Sequence, residues 1–491
     1  MDRRHFLAYS GSGLVGLLPA CGGGGGSGTT PTPTPTGIDW APLNQKLSGT
    51  LLLPTQADFN TFAPVINTRY DAIKPQALVR CKNPDDVREV LNFAQQQQLP
   101  IAPRCGGHGY IGNSITSGIV IDVGLMSEIQ VNNDGTAKIG AGAKLVDVYD
   151  TLIAQGVSIA SGTCPTVGIA GITMGGGIGV LDRLYGLTCD NLIAAEMVTA
   201  DGLLRRCDAT NEVDLFWALR GGGGGNFGVA TSFTFTTHPI RDFTVGQATF
   251  RFDDALAVFR AWQAWPAQIP DRIWGQLTID FRGNVTLSAY ALSDVADVTP
   301  YWSQLIDDTA VTPLSNDVMT RSYLDVMLAM CGNLTASQCH RVGQTSDASD
   351  RSRYAFVASS DFFNQALSDD AIQAFLQGIQ NQRSSGASGY VILDLMQGAI
   401  SRVANDATAF FHRDALFSVE YWVYTSAIGA SWPTAMRTTM KPWSSGGAYV
   451  NYLDAQLQDW QSAYYGSNYT RLSQIKTTYD PKRVFNMVQG I

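Results

Sequence analysis

Two glycine-rich segments each carry one nucleophilic side chain. His108 ends the run Arg-Cys-Gly-Gly-His, and Cys164 lies inside the run Gly-Thr-Cys-Pro-Thr-Val-Gly. Glycine permits backbone turns that other residues avoid, and it lets a flat ligand approach the chain closely. One His and one Cys in two such loops therefore predict a flat ligand held at two points. Taken singly, His108 is also typical of a hydrogen-bonded loop residue, and Cys164 of a small buried hydrophobe.

The glycines of Gly223-x-Gly225-x-x-Gly228 have the spacing of a dinucleotide-binding fingerprint. A Rossmann turn follows a strand and opens a helix. Here a helix is predicted over 213–219, before the glycines, and a strand is predicted over 229–237, after them. This order excludes a Rossmann turn. It leaves two interpretations, a plain tight turn or glycines that wrap the phosphates of a ligand in another way.

The elements that position these loops belong to a long chain of 491 residues, 45% of them hydrophobic and 15% charged. That length is too great for one small core, so we expect two domains or lobes. The net charge of −9, without a long basic run, argues against nucleic acid as a partner. The chain has no Cys-x-x-Cys pair and no His-x-x-x-His spacing, so no metal site is predicted.

The first residues are typical of an export signal. Arg3 and Arg4 precede a weakly apolar run, and the sequence Leu-Pro-Ala-Cys ending at Cys21 resembles a bacterial lipobox. We expect residues 1–21 to be a twin-arginine lipoprotein signal, with a lipid on Cys21 as the only membrane link. A secretory signal with an incidental Cys is the alternative. The prediction is an exported bacterial protein, periplasmic or on the cell surface.

The pattern of elements changes along the chain after the Gly-, Thr- and Pro-rich tether of residues 22–54. Over 55–240 strands and helices alternate, which predicts an α+β domain. Asn83 caps one of its helices, and a strand over 101–104 leads into the His108 loop. Over 241–448 the pattern predicts a second domain, an antiparallel sheet with helices behind it. Residues 449–491 form a separate tail.

Two of the cysteines are candidates for a disulfide. Cys331 and Cys339 lie eight residues apart in a polar stretch. An exported protein can oxidise its cysteines, so we expect this pair to be bonded.

The motifs taken together resemble the flavoprotein oxidases of the berberine bridge enzyme and glucooligosaccharide oxidase family, over about residues 57–491. Besides the His108 and Cys164 loops, the resemblance rests on several runs: Gly175-Gly176-Gly177, Asp190-Asn191, Trp217-Ala218-Leu219-Arg220-Gly221, Asn226-Phe227-Gly228 and Tyr449-Val450-Asn451-Tyr452. It implies a vanillyl-alcohol-oxidase-type FAD-binding domain of two subdomains at 55–240. It also implies a substrate domain over the flavin at 241–448 and a tail, 449–491, that returns to the FAD domain.

The resemblance implies FAD bonded covalently to both His108 and Cys164. The implied cofactor-binding residues are Arg104, Gly106, Gly107, His108, Gly109, Gly162, Thr163, Cys164, Val167, Gly168, Gly171, Gly175, Gly176, Gly228, Val229 and Asn451. Two positions depart from the family pattern. Ile172 replaces a frequent His, which removes a hydrogen bond to the flavin, and Cys105 replaces a commoner Ser, which adds a spare thiol.

Three residues are implied in catalysis. Tyr452 matches the catalytic tyrosine of the carbohydrate oxidases, with packing in the core or on the flavin as the alternative. Asp394 matches a carboxylate that accepts the phenolic proton; the alternative is an exposed strand residue. Glu420 lies on a strand that supplies an acidic base in the alkaloid-type members, so it competes with Tyr452. Because a free phenol titrates near pH ~10, an ionised Tyr452 needs help.

The implied reaction is hydride transfer from an alcohol carbon to flavin N5, followed by reduction of O2 to H2O2. A sugar or oligosaccharide C1–OH, which gives a lactone, is the first choice of substrate. The alternatives are an aromatic or polyketide-like metabolite and a surface lipoprotein that has lost turnover. Val167 is expected beside the flavin, where a small side chain leaves space for O2. Trp422, Tyr323 and Trp274 are either platforms for the substrate or core residues.

Overall fold

The computed structural model describes residues 37–340, 353–425 and 429–491. The predicted signal, the lipid on Cys21 and residues 22–36 of the predicted tether lie outside these residues. Within them, none of the helices has the length and apolarity needed to cross a membrane. From Trp40 to Ile491 the chain packs as one compact unit. The predicted division near residue 240 therefore stays a prediction.

The described residues form eighteen strands: β1 Thr50–Leu52, β2 Ala77–Arg80, β3 Ile101–Arg104, β4 Ile119–Asp122, β5 Ile129–Val131, β6 Thr136–Gly140, β7 Val157–Ser158, β8 Leu192–Thr199, β9 Leu204–Asp208, β10 Gly228–Thr236, β11 His238–Pro239, β12 Phe243–Arg251, β13 Ile273–Asp280, β14 Asn284–Ala291, β15 Ser315–Arg321, β16 Phe356–Phe363, β17 Ser388–Leu395 and β18 Phe417–Tyr424. These strands make three larger sheets and one two-stranded ribbon, β11-β7. The mixture of helices with mainly antiparallel sheets confirms the α+β class.

The described residues also form fifteen α-helices: α1 Ala41–Asn44, α2 Phe59–Phe62, α3 Pro84–Gln96, α4 Leu145–Ile153, α5 Ile169–Met174, α6 Asp182–Tyr185, α7 Val213–Ala218, α8 Ala255–Ala264, α9 Val295–Asp308, α10 Tyr323–Ala329, α11 Ala336–His340, α12 Asp369–Ser384, α13 Trp432–Met440, α14 Trp460–Tyr465 and α15 Tyr469–Tyr479. Asn83 caps α3 as predicted, since its side chain accepts a hydrogen bond from the Asp86 N–H at 3.0 Å.

The first sheet, in the order β1-β2-β4-β3, carries the His108 loop at its edge. Strands β2, β4 and β3 run parallel, and nearly all of their residues are buried, as continuous apolar strands in parallel sheets are. The loop begins directly after Arg104, the last residue of β3. The buried sheet therefore fixes the start of the loop.

The second sheet, in the order β5-β6-β10-β8-β9, is antiparallel. Its central strand, β10, follows the Gly223–Gly228 turn. Helix α7 precedes the turn and β10 begins at Gly228, the reverse of a Rossmann unit. The glycine turn therefore belongs to a helix-to-strand connection, as the sequence predicts.

The third sheet has seven antiparallel strands in the order β15-β12-β14-β13-β17-β18-β16. Side chains alternate between its two faces, since the period of a strand is two residues. One face, with Leu277, Leu393 and Val419, packs in a single core with residues of α8, α9, α12 and α13. These four helices cover one face of the sheet, as predicted for 241–448, and much of the other face is left to form a site.

Candidate functional site

A cavity of about 400 Å³ lies between the glycine-rich loops and the uncovered face of the seven-stranded sheet. On one side it is lined by the segments that hold His108, Cys164 and the Gly223–Gly228 turn. On the other side it is lined by residues of β13, β16, β17 and β18 and by Tyr452 from the tail. Nearly all the predicted site residues thus meet around one space.

The loops that carry His108 and Cys164 pack backbone against backbone through two glycines. A Cβ atom added to Gly168 would lie 2.1 Å from the Cys105 Sγ, and one added to Gly106 would lie 2.5 Å from the Gly168 N. These distances leave no room for any side chain at either position. Glycine is therefore needed here for close approach, and this contact holds the two loops together.

The side chains of His108 and Cys164 meet at a third residue, Thr166. The Thr166 hydroxyl lies 2.8 Å from Nε2 of His108 and 3.3 Å from Sγ of Cys164. Thr166 is buried where the loops meet, and His108 and Cys164 are partly buried. Two nucleophiles that share one neighbour are placed to reach the same ligand.

Glycines also shape the remainder of this wall. Gly223 and Gly225 line the cavity with φ angles of 84° and 77°, which other residues rarely adopt. A Cβ added to Gly171, on α5, would have no atom within 4 Å, although Gly171 lines the cavity. At these glycines the wall consists of backbone without side chains. Such a surface fits a long, flat, phosphate-bearing group such as FAD.

Most of the predicted cofactor-binding residues line this cavity, and Gly175 and Gly176 do not. A Cβ added to Gly175 would lie 2.1 Å from Oδ1 of Asn451, and one added to Gly176 would lie 2.9 Å from the Phe410 ring. Their implied part in cofactor binding therefore stays a prediction. Gly175 makes room for Asn451, which lines the cavity and donates to the Tyr449 hydroxyl at 2.8 Å, and Gly176 makes room for Phe410.

Arg104 lines the cavity, but its guanidinium is committed to the protein. It forms a buried ion pair with Asp122 at 2.8 Å and donates to the carbonyls of Phe62 and Ala63. Its position next to the loop makes it an anchor for the loop. Beside it, burial raises the pKa of Cys105 to about 12, so this additional thiol stays protonated near neutral pH.

Asp394 and Glu420 project from the same face of the sheet into the cavity. Asp394 pairs with Ser418 on the neighbouring strand, and Glu420 pairs with Ile392, so the two carboxyls are diagonal neighbours. Both are buried, with 7% and 6% of their surface exposed. The interpretation of Asp394 as an exposed strand residue is therefore wrong.

The two carboxyls have different partners and different proton affinities. Asp394 accepts from the Gln276 amide at 2.9 Å, and burial raises its pKa to about 6. Glu420 accepts from the Tyr110 hydroxyl at 2.6 Å. Burial, together with the charge of Asp394, raises the Glu420 pKa to about 8. At pH 7 Asp394 is therefore mostly ionised and Glu420 is mostly protonated.

Tyr452 lies beside these carboxyls and is half-buried. Its ring stacks on Tyr110, with centroids 5.3 Å apart, and meets the edge of Tyr449 at 4.9 Å. Burial and the nearby charges of Glu420 and Asp394 hold the pKa of Tyr452 well above its usual value. The phenol therefore stays protonated at rest, and it accepts a proton only by passing its own to a neighbour.

Aromatic rings form the far end of the cavity around Trp422. Trp422 stacks on Phe356 at 4.0 Å and on Tyr390 at 5.7 Å, and Tyr110 meets it edge-on. All four residues line the cavity. Of the three predicted platforms, only Trp422 lines the cavity, and it packs there in a hydrophobic cluster with Phe356.

Trp274 and Tyr323 are core residues, 1% and 2% exposed. Trp274 packs on Tyr290, and Tyr323 packs between Phe243 and Tyr149. The alternative interpretation of these two residues, as core, is the one the structure supports.

Three contributors were not identified from the sequence: Tyr110, Gln276 and Thr166. Tyr110 follows His108 by two residues, so its closeness to the ligand could have been inferred. Thr166 follows Cys164 by two residues, so the same inference was available for it. Gln276 gives no such signal, because its role depends on strand register.

The cavity is also lined by four other residues that the sequence singles out: Val167, Ile172, Gly228 and Val229. The structure contains the predicted disulfide between Cys331 and Cys339. Among the described residues no cluster of His, Cys, Asp and Glu is arranged to hold a metal ion.

Comparison with known proteins gives matches along most of the chain. Residues 75–208 match the FAD binding domain model, and residues 448–491 match the berberine and berberine-like model. The FAD-linked oxidoreductase YgaK of Bacillus subtilis is 34% identical over 462 residues, 91% of this chain and 97% of that protein. The chitooligosaccharide oxidase of Gibberella zeae is 28% identical over 85% of this chain and 87% of its own length.

Among solved structures, the BBE-like 1 protein of Physcomitrella patens superposes with a TM-score of 0.85 at 28% identity. The match covers 92% of this chain and 99% of that one. The similarity therefore extends over both the glycine-loop side and the sheet side of the cavity.

Proposed function

This chain belongs to the family of FAD-linked oxidoreductases that includes the berberine bridge enzyme-like proteins, and from that premise we propose that it oxidises the C1–OH of a sugar or oligosaccharide. FAD bound in the cavity would supply the hydride acceptor and pass the electrons to O2, giving H2O2. The observation that carries the proposal is that the buried carboxyl of Asp394 and the phenol of Tyr452 line one cavity opposite the glycine loops, close enough for the charge of Asp394 to raise the pKa of Tyr452.

His108 and Cys164 would hold the flavin through two covalent bonds. Their shared contact with Thr166 supports this part of the proposal. Fixing a ring at two points orients it without further side chains above it, and this leaves space for a bulky substrate.

Tyr452 and Asp394 would remove the hydroxyl proton of the substrate. The phenol stays protonated at rest, so it acts as a relay: its oxygen takes the substrate proton while its own proton moves towards Asp394. Glu420 is protonated at pH 7 and is bonded to Tyr110, which makes it the weaker candidate.

A second candidate function is the oxidation of an aromatic or polyketide-like alcohol. The rings around Trp422 favour it, because stacked aromatic side chains bind flat apolar groups as well as sugar faces. The relative named as a chitooligosaccharide oxidase favours the sugar.

A panel of substrates with a peroxide readout tests the proposal. We expect glucose and chitin oligomers to give H2O2 and a lactone. Peroxide from aromatic alcohols alone would transfer the function to the second candidate. If no alcohol gives peroxide, the protein is a flavin-fold surface lipoprotein without turnover.

We also propose that the protein is exported and carries a lipid on Cys21, on the twin-arginine and lipobox pattern. Mass spectrometry of the mature N-terminus tests this. A mature chain that begins before or after Cys21 would contradict it.

A further inference from the structure

A second cavity, of about 100 Å³, shares the loop Arg104–His108 with the first. Its other walls come from β2, from the start of α4 and from the residues around α11, so it is not part of the space between the loops and the sheet. Its lining carries four cationic side chains, Arg80, Arg104, Lys144 and Arg353, and one carboxylate, Asp122.

Two of these cations are already neutralised within the protein. Arg104 pairs with Asp122, and Arg353 pairs with Asp71. The His340 ring, which also lines the cavity, is bonded to Asp147 at 2.8 Å. The remaining charge therefore comes from Arg80 and Lys144.

Arg80 has no acceptor for its charge among the described residues. Its guanidinium stacks over the Phe62 ring at 4.0 Å, and its buried Nε has no hydrogen-bond partner. A buried donor without a partner in a native protein usually marks the place of an ion or water.

Lys144 is more deeply buried than Arg80, with 8% of its surface exposed. Its ammonium donates to the carbonyl of His340, and it forms no ion pair within the described part of the chain. Burying an ammonium is costly unless an anion or several acceptors compensate it. The two unneutralised cations thus border one small space.

We propose that this cavity binds a small oxyanion, a phosphate or a carboxylate, between Arg80 and Lys144. The volume admits one such ion and excludes a nucleotide. Both cations can then form charge-assisted hydrogen bonds to it, and the Nε of Arg80 gains the acceptor that it lacks. Because Thr166 and His108 line this cavity too, an anion here lies directly behind the predicted flavin attachment site.

Calorimetric titration of the flavin-loaded protein with inorganic phosphate, at constant ionic strength in chloride, tests the site. We expect saturable binding of one phosphate per chain. Arg80→Gln should raise the Kd about tenfold or more, since charged hydrogen bonds contribute roughly 1.5–3 kcal/mol each and 1.4 kcal/mol is tenfold. Lys144→Gln should do the same. Titration with acetate distinguishes a carboxylate site from a phosphate site. A carboxylate site binds both acetate and phosphate, and a phosphate site binds phosphate alone.

Arg88→Gln is the matched control, an exposed arginine on α3 that pairs with Asp85. It should leave the Kd unchanged. No saturable heat with either anion, or equal binding by Arg80→Gln and the wild type, would overturn the proposal. If Lys144→Gln does not fold, Arg80→Gln decides alone, because Arg80 is only half-buried at the end of β2.

Discussion

Asp394 and Glu420 share one face of one sheet, but they should act in different pH ranges. We expect the rate of flavin reduction by substrate to rise with pH through about 6, because Asp394 accepts a proton only once it is ionised. Asp394→Asn should remove this rise and move the onset to the higher pH at which Glu420 ionises; because the Asp394 charge helps to raise the Glu420 pKa, that onset should lie below the wild-type value of about 8. Glu420→Gln should keep the rise near 6. Stopped-flow traces at a series of pH values measure this, and an unchanged onset in Asp394→Asn would contradict it.

Thr166 is the residue on which the two predicted attachment points meet. His108→Ala or Cys164→Ala should each leave one covalent bond, and the double variant should release all of its FAD on acid precipitation. Thr166→Val keeps the shape but loses the hydroxyl that contacts both side chains, so we expect slower and incomplete covalent loading. Free FAD from the precipitated wild-type protein would rule out both bonds.

At the scale of single residues, the sequence supports a prediction of the site residues but not of their contacts. His108 and Cys164 stand out because glycine surrounds them. Asp394 could not be placed in the cavity from its strand alone, because alternation separates two faces without telling which one the helices cover. The bond between Glu420 and Tyr110 joins residues 310 positions apart, and no local pattern encodes it.

At the level of elements, the most tightly constrained contact is the one between the loops that carry His108 and Cys164. Gly168→Ala should cost about 1–3 kcal/mol of stability, because the new methyl group overlaps Cys105 and Gly106. Denaturant unfolding measures this. Gly171→Ala, three residues further along on α5, is the control. Its methyl group meets no atom, so stability should stay level or rise by about 0.5–1 kcal/mol. Equal losses in both variants would show that the loop contact is not the cause.

Elements with strong patterns were predictable, and elements with weak patterns were not. The sequence predicts β3 with its observed limits, 101–104, and it predicts a strand at Glu420, where β18 lies. It does not predict β15, which is polar and lies at the edge of its sheet, or α9, which contains Pro300. Edge strands need little apolar surface, and a proline inside a helix weakens the local signal.

At the scale of the whole molecule, we expect the disulfide Cys331–Cys339 to stabilise the packing beside the aromatic rings that line the cavity. Both cysteines pack in one cluster with Phe356 and Trp422. The double variant Cys331→Ser/Cys339→Ser should lose about 2–3 kcal/mol, a value typical of a short closed loop. A reductant should lower the melting temperature of the wild type to that of the variant. If it lowers the variant equally, the disulfide does not carry the stability.

The overall architecture followed from the family resemblance more than from composition. Length alone predicts two lobes, and the division near residue 240 stays a prediction, since the chain from Trp40 to Ile491 packs as one unit. The reason is that the substrate sheet, the loops and the tail all meet at the same cavity, so contacts cross any boundary drawn near residue 240.

The reaction is tested most directly by mixing oxygen-free, oxidised protein with an oligosaccharide and following the flavin absorbance. The flavin of the wild type should bleach and recover, with release of H2O2, when oxygen is added. Tyr452→Phe keeps the ring and its stacking but removes the relay oxygen. Its flavin should stay attached and bleach about 10² to 10⁴ times more slowly. Bleaching of Tyr452→Phe at the wild-type rate would contradict the proposed proton transfer, and a wild-type flavin that no alcohol bleaches would contradict the proposed oxidase.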